Sequence, residues 1–140
     1  MSIEENKANE RRLYDDVFNK GDLSLIPALV SPDFVTGNSR GHEGYKQMVS
    51  MWRTAIPDIR FNIDEMVAEG DHVAYRLSVT GTGAGEMNGI NFAGKKIDFP
   101  MTIFTTYKDG KVASGIATVD TLNLYRQAGV MPPGFESASK

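Results

Sequence analysis

The chain contains no cysteine among its 140 residues. Disulfides, thiolate-held zinc, iron–sulfur clusters and a thiol nucleophile are therefore excluded by counting. Histidine is scarce as well, with only His42 and His72. The two are far apart and His72 follows the turn Glu69-Gly70-Asp71, where a solvated histidine is the ordinary case, so no metal site is expected. Fifteen Lys and Arg against 18 Asp and Glu give a net charge of −3 and a pI near 5.3. That balance lacks the basic excess that phosphate backbones attract, and nucleic acid is not an expected partner. No window approaches the roughly 18 consecutive apolar residues of a membrane span. The opening MSIEENKANERR places no apolar stretch behind a positive start. A soluble, cytoplasmic protein is the expectation.

What is present suits one domain, expected over 1–130, with the Pro- and Ser-rich 131–140 as a flexible tail. Hydrophobic residues make up 41%, enough for a core at a length where about 68–70% of the unfolded surface is buried. Leu13, Tyr14, Val17 and Phe18 form an apolar helical face in a segment from Ile3 to Phe18, with Glu4, Glu5, Glu10, Arg11, Arg12 and Asp15 on the remainder. A short helix presents Leu25, Ile26, Leu29 and Val30, and Ser31-Pro32-Asp33 is expected to break it. A third helix carries Tyr45, Met48, Val49, Trp52 and Ile56 at three- and four-residue steps.

Beyond Pro57 the period becomes two. Strands are predicted over 60–69, from Val73, 96–107 and 112–119, with Lys108-Asp109-Gly110-Lys111 as a tight hairpin turn. A last short helix covers 121–128. Helices precede strands instead of alternating with them, so the class is α+β: three N-terminal helices on a curved, mostly antiparallel sheet, with a cone-shaped cavity between them.

Gly81-Thr82-Gly83-Ala84-Gly85 resembles a phosphate cradle only superficially. Glu86 stands where the dinucleotide fingerprint needs its third glycine, and no helix follows. Asp120 ends a strand of mostly apolar neighbours, Ile116 to Val119, a setting that raises a carboxyl's proton affinity and suits acid–base work. It also directly precedes the last helix, where an aspartate caps. Both readings stand at this level. Aromatic and methionine residues, among them Trp52, Tyr75 and Met101, build the core and would suit an apolar ligand.

Several runs resemble one family along nearly the whole chain. They are Leu13-Tyr14 to Asn19-Lys20-Gly21-Asp22-Leu23 with Pro32-Asp33-Phe34, Gly41 to Trp52 with Ile56-Pro57-Asp58, Val67 to Ala74, Thr80 to Glu86 with Gly89-Ile90 and Gly94-Lys95, and Asp109 to Val112 followed by Asp120-Thr121-Leu122 to Gly129. The chain resembles the SnoaL-like polyketide cyclases, of the nuclear transport factor 2-like fold. The resemblance implies an intramolecular aldol closure by an aspartate and a histidine without a cofactor. In this chain the family's polar positions fall on Ile103, Ala117, Gly83, Ser114 and Ile116, so the mechanism does not transfer residue by residue. Asp120 remains as the expected acid–base group, with Asn38, His42, Trp52, Tyr75, Met101, Ile103, Ala117 and Thr118 expected around the substrate. A cofactor-independent cyclase or isomerase of a hydrophobic small molecule is the leading expectation, and a non-catalytic binding domain the alternative. The resemblance also implies a homodimer.

Overall fold

The computed structural model describes residues 2–87 and 89–129. The expected tail, 131–140, lies outside them. Helix α1 (Ile3–Arg12) starts from a capping box in which Ser2 and Glu5 satisfy each other's backbone amides. It runs on as a wider π turn, Leu13–Phe18, whose ring is closed by the Asn19 amide on the Tyr14 carbonyl at 2.9 Å. The buried stripe of this segment is Asn6, Glu10, Leu13, Tyr14, Val17 and Phe18. Two of its members are polar, which separates this helix from an ordinary amphipathic one.

A 3₁₀ turn at Leu23–Leu25 leads into the single turn α2 (Ile26–Leu29). Strand β1 (Val30–Thr36) and the short β2 (Ser39–Arg40) follow, then α3 (Gly41–Ala55). The helix stops at Leu29, ahead of the expected break at Ser31-Pro32-Asp33, and those residues already belong to β1. Proline is tolerated there because the pairing of β1 with the last strand shifts register between Val30 and Val35, and an irregular edge needs no ladder donor from residue 32.

The long strands are β3 (Arg60–Glu69), β4 (His72–Thr82), β7 (Lys96–Lys108) and β8 (Lys111–Val119), with a small pair β5 (Glu86–Met87) and β6 (Ile90–Asn91) in the connection. Helix α4 (Thr121–Ala128) closes the chain's described part. The main sheet has the order β2-β1-β8-β7-β4-β3, antiparallel throughout except for β1 beside β8. The expectation of α+β with a curved, mostly antiparallel sheet is met.

Along β7 every second residue from Ile97 to Tyr107 is buried, and along β4 the same holds from Val73 to Val79. These residues face α1, its π turn and α3, so the core lies on one side of the sheet. Two side chains fasten the helices to it. Asn19 accepts from the Phe61 amide at 2.7 Å and donates to the Phe61 carbonyl at 2.9 Å, standing in for a further strand. Arg53 donates to the carbonyls of Phe18 and Asn19 at 2.8 and 2.9 Å, satisfying the end of the first helix.

Candidate functional site

Between α1, α3 and the inner face of the sheet lies a cavity of about 220 Å³. Its walls are largely aromatic and aliphatic: Phe18, Phe34, Tyr45, Met48, Trp52, Phe61, Met101 and Ile103. Tyr14 stacks on Phe18 with centroids 4.6 Å apart, and Phe18 meets Phe61 edge-on at 5.0 Å. Trp52 lies against Phe61 and Phe99, each at 6.1 Å. Rings locked against one another in this way hold the cavity open instead of collapsing into it. The cavity meets solvent between α3 and β8, where Met51 is 45% exposed and Ala117 is exposed. Broader surface grooves, such as the one bounded by Ser50, Thr54 and Glu86, are not lined by a buried carboxyl.

The inner end, along β7 from Met101 toward Thr105, is polar. Glu10 reaches it from α1 and is 1% exposed. Tyr107 donates to its Oε2 at 2.5 Å, and Asn9 donates to the Tyr107 hydroxyl at 3.0 Å. Burial pushes the Glu10 carboxyl above its ordinary range, because an ionised form loses its water; hydrogen bonding from Tyr107, Tyr75 and Thr105 opposes this without cancelling it. Beside Glu10, the hydroxyls of Tyr75 and Tyr14 are 3.0 Å apart. Burial, and next to it a neighbouring negative charge, push both phenols well up, so they are neutral donors.

Of the residues predicted around a substrate, Trp52, Tyr75, Met101, Ile103 and Ala117 line this cavity. Three do not. Asn38 is exposed in the turn between β1 and β2. His42 is half-buried at the start of α3 with its Nε2 donating to the Val30 carbonyl at 2.7 Å, a structural bond. Thr118 faces away because side chains alternate along a strand, and its neighbours Ala117 and Val119 are the ones that face in.

The same alternation decides Asp120. It shares the parity of Ile116 and Thr118, is exposed, and spends its Oδ1 on the Asn123 amide at 3.1 Å as the N-cap of α4. Of its two sequence readings the structure supports the cap, and Asp120 is not among the cavity residues.

Glu10 was missed because a charged residue among Glu, Arg and Lys was assigned to the solvated side of the helix. Its spacing, three before Leu13 and four before Tyr14, is the signal that places it on the buried stripe.

The model of the SnoaL-like polyketide cyclases matches residues 8–128. The chain belongs to that family. Among solved structures, this SnoaL-like chain is similar to TsrD of Streptomyces laurentii, at 23% identity and a TM-score of 0.86, covering 94% of this chain and 99% of that one. It is also similar to AclR of Streptomyces galilaeus, provisionally named a hydroxylase, at 26% identity and a TM-score of 0.78 over 94% and 100% of the two chains. A Bacillus cereus ATCC 10987 protein, provisionally named a polyketide cyclase, is 31% identical with a TM-score of 0.74 over 91% and 83%. No curated protein matches the chain.

Within this SnoaL-like fold the replaced family positions now have places. Ile103 and Ala117 are cross-strand partners, both on the cavity wall, so the expected polar pair has become an apolar patch. Ile116 points outward and is 71% exposed. Gly83 sits in the connection, where its backbone passes Phe92 too closely for any side chain.

Proposed function

We propose that this chain is an enzyme that moves a proton on a hydrophobic small molecule held in the cone cavity, in a cyclisation or isomerisation with Glu10 as the acid–base group. The observation that carries this is a single carboxyl, nearly free of solvent, on the wall of an aromatic cavity. In such a step ionised Glu10 takes a proton from the carbon beside a carbonyl, and the C–H electron pair moves onto the carbonyl oxygen. Glu10 then returns the proton, either to another carbon, which isomerises the substrate, or to the alkoxide formed when the enolate carbon attacks a second carbonyl. Proton and electrons balance within the substrate, so the step calls for no cofactor. A carboxyl held above its ordinary range is a stronger base at the moment of abstraction, and the rigid rings restrict the substrate to reactive conformations.

The probe is 2-tetralone in D₂O, with deuterium uptake beside its carbonyl followed by NMR. Wild type is expected to exceed the buffer rate, Glu10→Gln to lose about 10²-fold, and Asp120→Asn to match wild type, since asparagine caps as well as aspartate. Equal exchange in Glu10→Gln and wild type sinks the assignment. The apolar Ile103 and Ala117 wall favours the second reading, a binding domain without catalysis, and wild-type exchange at the buffer rate would establish that one.

The expected homodimer is proposed on the outward face of the sheet. Val67, Ala74, Phe104 and Ile116 are successive partners across β3, β4, β7 and β8, forming one apolar row. Val67, Phe104 and Ile116 are 61%, 47% and 71% exposed, and a contiguous exposed apolar patch is the mark of an interaction surface. Sedimentation at micromolar concentration should give a dimer, and Phe104→Glu a monomer.

A further inference from the structure

Three features of the cavity narrow its ligand, taking it as the substrate site proposed above. The first is size. About 220 Å³ is less than the roughly 300–1,000 Å³ of sites for drug-sized ligands, which favours one or two rings over four. The second is charge. Its lining holds no lysine, arginine or histidine, so an anionic ligand would lose its hydration with no cation to replace it.

The third is a pair of neutral hydroxyls. Tyr14 and Tyr75 both line the cavity, their hydroxyls 3.0 Å apart in one hydrogen bond beside Glu10. They are buried, at 5% and 4% exposure. A carbonyl oxygen reaching the inner end can accept from this pair. Glu10 stands one helical turn before Tyr14 on the same stripe, so an oxygen received by Tyr14 brings its neighbouring carbon toward the carboxyl.

We propose that the substrate is an uncharged molecule of one or two rings whose carbonyl oxygen is received by the Tyr14–Tyr75 hydroxyl pair at the inner end of the cavity. As negative charge builds on that oxygen during proton removal, the Tyr14 hydrogen bond strengthens, which lowers the barrier.

Isothermal titration calorimetry with three probes tests this. They are 2-tetralone, tetralin (the same frame without the oxygen) and the four-ring ketone androst-4-ene-3,17-dione. Wild type is expected to prefer 2-tetralone to tetralin by about tenfold, the usual worth of one well-made buried hydrogen bond, and to bind the four-ring ketone more weakly than either. Tyr14→Phe should reduce the preference to about twofold or less. Tyr75→Phe serves as the second variant if Tyr14→Phe does not fold, with the same reduction expected, and Asp120→Asn, outside the cavity, should keep the preference. Equal binding of 2-tetralone and tetralin overturns oxygen recognition while leaving the cavity reading intact. Tighter binding of the four-ring ketone overturns the size limit. Failure of both bicyclic probes to bind overturns the cavity reading and this inference with it. A tetralone preference in wild type alongside equal deuterium exchange in Glu10→Gln and wild type separates the two proposals.

Discussion

Glu10→Gln is expected to remove a pH dependence from the stability of the folded protein. The Glu10 carboxyl is raised from an ordinary value of 4.5, chiefly by burial, so the folded state holds its proton more tightly than the unfolded chain does. Stability linked to this group is then fully present below about pH 4.5 and is lost as pH climbs through the folded-state value. Each pK unit of separation contributes about 1.4 kcal/mol. In a domain of this size that is roughly 3–6 °C in melting temperature. Glutamine keeps an acceptor for the Tyr107 hydroxyl, which donates to Glu10 at 2.5 Å, and cannot ionise. The variant should therefore match or trail wild type in acid and overtake it as pH rises. Melting curves at a series of pH values check this, and a constant difference between the two proteins across the series would mean that Glu10 is not protonated in the fold.

A second large effect is expected at Gly83, in the connection between β4 and β7. A Cβ at this position would stand 2.2 Å from the Phe92 carbonyl oxygen and 2.5 Å from the Phe92 Cβ. The approach is fixed from both sides, since Gly83 donates to the Lys95 carbonyl and accepts from the Gly94 amide, each at 2.9 Å. Phe92 is 2% exposed and cannot swing aside without opening the core. Gly83→Ala should cost about 2–3 kcal/mol, at the upper end of overpacking, seen as a fall of roughly 10 °C. Gly85→Ala is the control, because nothing lies within 4 Å of a Cβ there, and it should change stability by less than about 0.5 kcal/mol. Equal melting temperatures for the two variants would show that the connection is not held as described. Backbone packing thus leaves no room for a side chain at Gly83, and the proposed cavity chemistry has its source elsewhere.

The proposed source, Glu10, is only half visible in the residues. The order of helices and strands was legible because apolar spacing changes from three-and-four to two at Pro57, and because Asn19-Lys20-Gly21 and Asp109-Gly110 mark their own turns. So were the cavity residues Trp52, Tyr75, Met101, Ile103 and Ala117, which share faces set by those periods. Thr118 and Asp120 are neighbours of Ala117 in the chain, but a strand turns adjacent side chains to opposite faces. For His42 and Asn38 the resemblance implies places around the substrate. One of these caps a carbonyl and the other meets solvent.

The sequence by itself determined what chemistry this protein cannot do with its own side chains, since no cysteine exists to hold a metal or attack a carbon. It also determined the α+β order of its elements, because periodicity is a local property. Only the tertiary structure decided where the buried carboxyl is. Glu10 belongs to a run of charged residues on a solvated helix until β7 brings Tyr107 and Thr105 against it, and α3 closes the other wall. Burial, the cause of its altered proton affinity, is a property of residues some hundred positions apart meeting in space, which no local pattern records.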